Sequence, residues 1–171
     1  WTTTTAASAI GNTLQLAADN APGDILVFKE AKTPTLLRTK ATFLDSTTRF
    51  EFLIPEGSSA KVFLHGRYAV ELQNKNNEWQ SFEAKLRAPR YDDARKLTDK
   101  ALTLDVKING ETVVTNRIQS GADEGSFVPW EDNDGPLAFL PKGEMALRHI
   151  SLLPADFSPL TLPTESGGAT N

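Results

Sequence analysis

Acidic and basic side chains that could carry acid–base chemistry occur on alternating segments in the central third of the chain. Glu51, Arg67 and Glu71 are the catalytic candidates, because a carboxylate can take or give a proton and a guanidinium can stabilise developing negative charge. Apolar residues recur at every second position from Tyr68, which predicts that Arg67 and Glu71 point to the opposite, solvent-facing side. The candidates for substrate contact are His65, Glu83 and Trp130.

Each of these residues also has a purely structural interpretation. Outward Glu and Arg side chains on neighbouring strands form solvated ion pairs worth under about 1 kcal/mol, and His65, directly before Gly66, would cap a turn. Trp130 stands in the acidic loop 128–135, which is either a stacking platform or a solvated turn. Two histidines exclude a three-histidine metal site, and a divalent metal held by carboxylates with one histidine stays open without support from the spacing.

Short β-strands must hold these residues. Alternating apolar runs separated by turn residues predict strands at 13–16, 25–28, 36–40, 49–54, 61–64, 68–72, 79–88, 101–108, 111–116, 137–140 and 145–153. The polar stretch 91–100 develops no apolar stripe, so it is predicted to be a connection rather than a helix. Many short strands with almost no helix predict a sandwich of two antiparallel sheets, because one flat sheet would leave an apolar face uncovered.

One hairpin is strongly marked in the sequence. From Leu102 to Ile108 the alternation is complete, with Leu102, Leu104, Val106 and Ile108 predicted to point inward. Asn109 and Gly110 follow, and this pair is typical of the positive φ angles of a type I′ turn.

Composition and length limit the possible classes. The 171 residues, with 39% hydrophobic and 23% charged, suit one globular domain, predicted at 13–156 with an N-terminal extension at 1–12 and a C-terminal tail or linker at 157–171. A net charge of −4 without a basic stripe argues against nucleic acid, and no run approaches the roughly 18 apolar residues of a membrane span. Without cysteine, disulfides and thiolate chemistry are excluded.

Four blocks of sequence carry a family resemblance. They are 50–72 (FEFLIPEGSSAKVFLHGRYAVEL), 78–91 (EWQSFEAKLRAPRY), the hairpin 107–116 (KINGETVVTN) and the closing block 135–154. In this order they resemble the signature blocks of the 3-keto-disaccharide hydrolase domain family, including "GRYEVQ", "EWQ" and "RAPR". Glu51 matches the glutamate of the family's "EF" pair. Several blocks in the right order are more specific than one short motif.

The resemblance implies a fold and an activity. The fold is a concanavalin A-like jelly-roll β-sandwich of two antiparallel sheets, with a carbohydrate site on the concave sheet. Members are usually exported bacterial proteins, so a periplasmic or extracellular location is expected. Some cleave 3-keto-glycosides by elimination or hydrolysis, and metal assistance is reported in the family.

The chain departs from the family pattern at positions that matter for chemistry. Ala69 stands where the signature has glutamate, and a carboxylate appears two residues later at Glu71. Only 73–77 joins two strands between which members carry a long excursion, and His149 replaces the asparagine of a closing "RNI". Two hypotheses follow: a non-catalytic module that binds a carbohydrate or serves as an accessory subunit of an exported complex, and an active 3-keto-glycoside hydrolase or lyase.

Overall fold

The computed structural model describes residues 1–18, 21–29, 33 and 35–157, and within these ranges the chain forms strands and no helix. In chain order the strands are β1 (Thr2–Thr4), β2 (Ala7–Ile10), β3 (Thr13–Leu16), β4 (Ile25–Phe28), β5 (Leu37–Arg38), β6 (Ser46–Leu53), β7 (Ser59–Leu64), β8 (Tyr68–Gln73), β9 (Gln80–Arg87), β10 (Arg90–Tyr91), β11 (Leu97–Asp99), β12 (Leu102–Ile108), β13 (Glu111–Ile118), β14 (Ala138–Lys142) and β15 (Met145–Pro154).

Two antiparallel sheets make up the body of the fold. The large sheet has seven strands in the order β1-β4-β15-β6-β9-β12-β13, and the small sheet has four in the order β5-β14-β7-β8. Two ribbons, β2–β3 and β10–β11, complete the pairing. The all-β sandwich predicted from the sequence is therefore confirmed, and every predicted strand is present with its ends shifted by at most three residues.

Aromatic side chains fill the space between the two sheets. Phe50 on β6 stacks on Phe82 of β9 with ring centroids 4.5 Å apart, and it meets Phe139 of the small sheet edge-on at 5.0 Å. Each of these side chains is 2% exposed, and burying one such ring contributes about 1.5–3 kcal/mol. Since side chains alternate along a strand, the neighbours of Phe50 point away from the small sheet, onto what we call the outer face of the large sheet.

The structure confirms the predicted turn of the β12–β13 hairpin, but the predicted inward and outward alternation along β12 is wrong at one point. Asn109 and Gly110 have φ angles of 53° and 79°, as a type I′ turn requires. A β-bulge between Thr103 and Asp105 breaks the expected alternation, so that Thr103 is buried and Leu104 only half-buried. The bulge is stabilised by Gln119, whose side-chain amide donates to the Thr103 hydroxyl at 2.6 Å.

The segments flanking the predicted domain differ in what they contribute. Residues 1–12 supply β1 to the edge of the large sheet and β2 to a hairpin with β3. That hairpin covers one end of the outer face, where Leu14 packs with Leu53 in a second apolar cluster. This hairpin does not cover the middle of the outer face. The predicted C-terminal tail, apart from its first residue, lies outside the described part of the chain, at 158–171. The stretch 91–100 forms the β10–β11 ribbon rather than a helix.

Candidate functional site

The outer face of the large sheet carries a depression with a volume of about 590 Å³. It lies over β15, β6, β9 and β12, which are adjacent in the sheet. Cross-strand register sets Arg49 beside Glu83 and Glu83 beside Lys107, with Glu51 one step along the same face, beside Ser81. The polar residues lining it are Arg49, Glu51, Ser81, Glu83, Lys107, His149 and Ser151.

Ion pairs fix the carboxylates of this depression. The Arg49 Nε donates to Glu83 at 2.6 Å, and the Arg148 Nε donates to the Glu51 Oε2 at 2.5 Å. The other Glu51 oxygen, Oε1, lies 3.4 Å from the Nδ1 of His149. Partial burial opposes ionisation of Glu51, but the hydrogen bonds and charges of Arg148 and His149 outweigh it and hold its pKa below the usual value.

A second layer of contacts holds Arg148. Its guanidinium carbon lies 4.1 Å from the ring centroid of Trp79, in cation–π geometry. The Trp79 indole in turn donates to the Ala7 carbonyl at 3.2 Å, which ties the arrangement to the β2–β3 hairpin. Trp79 therefore holds Arg148 in place, and Arg148 in turn fixes the position of the Glu51 carboxylate.

His149 reaches the depression because β15 is irregular there. The register of β15 against β6 shifts between Arg148 and Ser151, and His149 has a φ of 53°. Such a left-handed conformation is uncommon for a residue other than glycine and is concentrated at functional positions. The bulge turns the imidazole toward Glu51, and the ring remains 67% exposed.

The chemistry available in the depression is that of polar recognition and proton transfer. Carboxylates accept hydrogen bonds from ligand hydroxyls, while Lys107 and Arg49 can donate to ligand oxygens or stabilise negative charge. The His149 imidazole has one nitrogen that can donate a proton and one that can accept a proton, so it can pass a proton to or from a ligand. Within the described residues no group of three or more His, Cys, Asp or Glu side chains could hold a metal ion.

The sequence-predicted site residues are only partly brought together. Glu51 and Glu83 lie in the same depression. Glu71 lies on β8, an edge strand of the small sheet, where it is exposed and 3.5 Å from the Nζ of Lys61. It belongs to a different sheet from Glu51, so these two carboxylates cannot act on one ligand in this depression.

Arg67 does not point to solvent, and that expectation was wrong. The residue lies in the turn between β7 and β8, is 2% exposed, and donates to the carbonyls of Trp130 at 2.5 Å and Asp134 at 2.7 Å. The loop comes so close that a Cβ at Gly135 would lie 2.3 Å from the His65 carbonyl oxygen. Arg67 therefore fixes a loop instead of facing a ligand.

His65 is buried in the same turn, with a φ of 54°. Its Nε2 donates to the Leu44 carbonyl at 2.8 Å, while its Nδ1 is buried without a partner. Burial lowers the pKa of His65 to about 4, because a protonated ring would place charge where nothing accepts it. Trp130 is 64% exposed on the loop that Arg67 holds, and neither His65 nor Trp130 lines the depression.

Sequence reasoning missed the nitrogen-bearing side chains of the site. Arg49, Lys107 and His149 line the depression, and Arg148 is bound to Glu51. The one available signal was His149 itself, because it stands where the resembling family has asparagine. The positions of Arg49 and Lys107 beside Glu83 depend on the register between three strands, and the periodicity within one strand does not predict that register.

No protein-family model and no curated protein sequence matches this chain. A crystal structure of a "putative glycosyl hydrolase" from Parabacteroides distasonis superposes with a TM-score of 0.62 at 17% identity, covering 75% of this chain and 72% of that one. Two more structures described in the same words from that organism give TM-scores of 0.49 and 0.47 at 14% and 11% identity, each covering 77% of this chain and 87% or 81% of their own. The first of these likenesses shows a common fold, which by itself does not fix an activity. The described residues include no helix long and apolar enough to cross a membrane.

Proposed function

We propose that this protein binds a carbohydrate in the depression on the outer face of the large sheet. The observation that carries the proposal is the convergence of Glu51 and Glu83 with their cationic partners in one depression of about 590 Å³. Sugar hydroxyls both donate and accept hydrogen bonds, so a site for them needs acceptors and donors side by side. The fold shared with a "putative glycosyl hydrolase" agrees with a ligand of this class.

In its finer form, the proposal is that this protein is related to the 3-keto-disaccharide hydrolases. It would act as a binding or accessory subunit of an exported complex, in the periplasm or outside the cell. Ala69 supports this form, since the family signature has glutamate there. So does the placement of Glu71 on the small sheet, where it pairs with Lys61 and cannot act together with Glu51. A carbohydrate and a protein of that complex would be the partners.

Active cleavage of 3-keto-glycosides is the second candidate function. The pairing of Glu51 with His149 favours it, because a carboxylate beside an imidazole is an arrangement that can move protons. In this candidate function the imidazole of His149 does the work of a second catalytic carboxylate.

Binding is tested by titrating a panel of oligosaccharides and 3-keto-glucosides into the protein while following tryptophan fluorescence and calorimetric heat. Trp79 lies under Arg148 beside the depression and should report occupancy. Glu83→Gln removes a charged acceptor and should weaken binding at least about tenfold. Glu71→Gln is the matched control and should bind like the wild type. A panel with no ligand, or equal losses in both variants, would contradict the proposal.

The accessory role has its own test. Affinity purification of the tagged protein from its native host, without crosslinking, should retain a stoichiometric exported partner. Recovery of the chain alone, together with release of aglycone from a 3-keto-glucoside with or without divalent metal, would favour the second candidate instead.

A further inference from the structure

We infer that His149 is the proton-transferring residue of the outer-face depression and that Glu51 is its positioning residue. The inference rests on the second candidate function, active cleavage of a keto-sugar. It names a residue that the resemblance does not supply, because the matching family position is asparagine. Its basis is the local geometry of β15.

The backbone of β15 is distorted at the residue that approaches Glu51. An undisturbed strand would put successive side chains on opposite faces, so Arg148 and His149 could not both reach one carboxylate. The register shift between Arg148 and Ser151 and the φ of 53° at His149 make this possible. Holding a histidine in this conformation strains the backbone, and no hydrophobic burial is gained in return, since the ring is 67% exposed.

The contact with Glu51 selects one nitrogen of the imidazole. The Nδ1 faces the Glu51 Oε1 at 3.4 Å, a separation longer than an ideal hydrogen bond and of the kind that shortens when a ligand closes a site. A carboxylate can only accept, so this contact favours the neutral tautomer that carries its proton on Nδ1. The Nε2 lone pair is then free to face the depression.

The other charged groups around the depression each have an oppositely charged partner in the protein. Arg49 pairs with Glu83 at 2.6 Å, and Lys107 lies 3.2 Å from Asp105. Arg148 is bound to the second oxygen of Glu51. Among these side chains the imidazole is the one with both a donor and an acceptor nitrogen, which proton transfer to and from a ligand requires. Lys107 lines the same depression, where it can stabilise negative charge on a ligand oxygen.

The proton transfer balances without a further reactant. The His149 Nε2 takes the proton from the carbon beside the keto group, and the C–H electron pair forms an enolate whose oxygen carries the negative charge. When the carbonyl re-forms, the glycosidic C–O bond breaks, a C=C bond forms, and the leaving oxygen takes the electron pair. The imidazolium Nε2 returns the proton to that oxygen, giving an alcohol and an unsaturated keto-sugar.

The tautomer of His149 can be measured without any substrate. Long-range ¹H–¹⁵N NMR correlations distinguish a protonated Nδ1 from a protonated Nε2, and the chain has only two histidines. His65 serves as an internal reference, since its bond to the Leu44 carbonyl requires a protonated Nε2. We expect the opposite tautomer for His149 in the wild type, and its loss in Glu51→Met, where the thioether is a weak acceptor. A protonated Nε2 on wild-type His149 would overturn the inference.

Kinetics with 4-nitrophenyl 3-keto-glucoside then separate the two roles. His149→Asn keeps a residue that tolerates positive φ and should lower kcat at least about 100-fold. Glu51→Met should lower kcat about tenfold with little change in KM, because it disturbs orientation. Glu71→Met, which makes the same substitution on the small sheet, should retain wild-type rates.

The outcomes distinguish this inference from the proposed function. If the wild type binds sugars but releases no nitrophenol, or His149→Asn turns over at the wild-type rate, the assignment of His149 is overturned and binding stands. If no sugar binds, the proposed function itself is wrong. Nitrophenol release that depends on both His149 and Glu51 supports the inference.

Discussion

Two regions of this molecule each contain a histidine, an arginine and a glutamate, and the two regions behave differently. One group lies in the β7–β8 turn and the loop bound to it, and the other lies on the outer face of the large sheet. The turn cluster is His65, Arg67 and Glu131, in which Arg67 donates to the His65 carbonyl and Glu131 accepts from Tyr68, the residue after Arg67. The face cluster is Glu51, Arg148 and His149, in which Glu51 contacts the other two directly. The residue types are the same, so the contrast isolates the effect of surroundings.

Burial separates the two clusters. In the turn cluster His65 and Arg67 are 3% and 2% exposed, and Glu131 accepts a 2.8 Å hydrogen bond from the buried Tyr68 hydroxyl. In the face cluster the His149 ring is 67% exposed. A buried polar group is committed to its protein partners, whereas an exposed one can exchange water for a ligand. The turn cluster therefore holds structure, and the face cluster is available for chemistry.

The largest expected effect is that of Arg67→Ala. The substitution leaves the carbonyls of Trp130 and Asp134 without their donor and opens a cavity in the turn. We expect a loss of about 3–5 kcal/mol in the free energy of unfolding, measured by urea denaturation. Arg67→Lys should recover only part of it, because an ammonium lacks the planar fork. A loss under about 1 kcal/mol would show that the loop does not depend on Arg67.

This contrast also marks the limit of what the sequence predicts. Period-two alternation around Tyr68 correctly gave strand β8, but it assigned Arg67 to the outward set, although the strand begins only after it. The side chain of a turn residue follows the turn and not the strand period. Burial of Arg67 depends on a loop about 65 residues away in the chain, which no local pattern encodes.

The second expected effect is a pH dependence that comes from the turn cluster. Folding lowers the pKa of His65 from 6.5 to about 4, so below pH 6.5 the unfolded chain binds a proton that the folded chain does not. The stability contributed by neutral His65 is therefore complete above about pH 6.5 and falls by roughly 1.4 kcal/mol per pH unit down to about pH 4. Urea denaturation at several pH values measures this slope.

The two histidines again supply the control. His65→Asn, which tolerates the local φ of 54°, should remove the slope between about pH 6.5 and 4.5. His149→Asn should keep it, because His65 remains buried in that variant. Equal slopes in both variants would mean that the proton uptake lies elsewhere.

A third, smaller effect is expected from Arg148→Ala in the face cluster. The guanidinium contacts Glu51 and the Trp79 ring, but at 30% exposure much of its charge is solvated. We expect about 1 kcal/mol of stability to be lost, with a clear loss of ligand affinity. A destabilisation as large as that of Arg67→Ala would contradict the conclusion that the turn cluster holds structure while the face cluster does not.

The face cluster shows why part of a site can be read from sequence. Glu51 and Glu83 directly follow the core residues Phe50 and Phe82 on regular strands, so side-chain alternation is enough to place both carboxylates on the outer face. His149 was not chosen, because it depends on a β-bulge that brings Arg148 and His149 to one carboxylate. Regular pleating is local and predictable, whereas a bulge depends on the register of the neighbouring strand.

The smallest expected effect is that of Glu71→Ala, which tests whether an exposed ion pair alone is enough to define a site. Glu71 and Lys61 face each other across β8 and β7 at 3.5 Å, with side chains 57% and 36% exposed. Solvent screening leaves such a pair worth under about 0.5 kcal/mol, so the unfolding midpoint should hardly move and sugar binding should not change. Differential scanning calorimetry and the same ligand titration measure both quantities. A loss of binding would extend the site onto the small sheet, and the comparison would then have to include a third cluster.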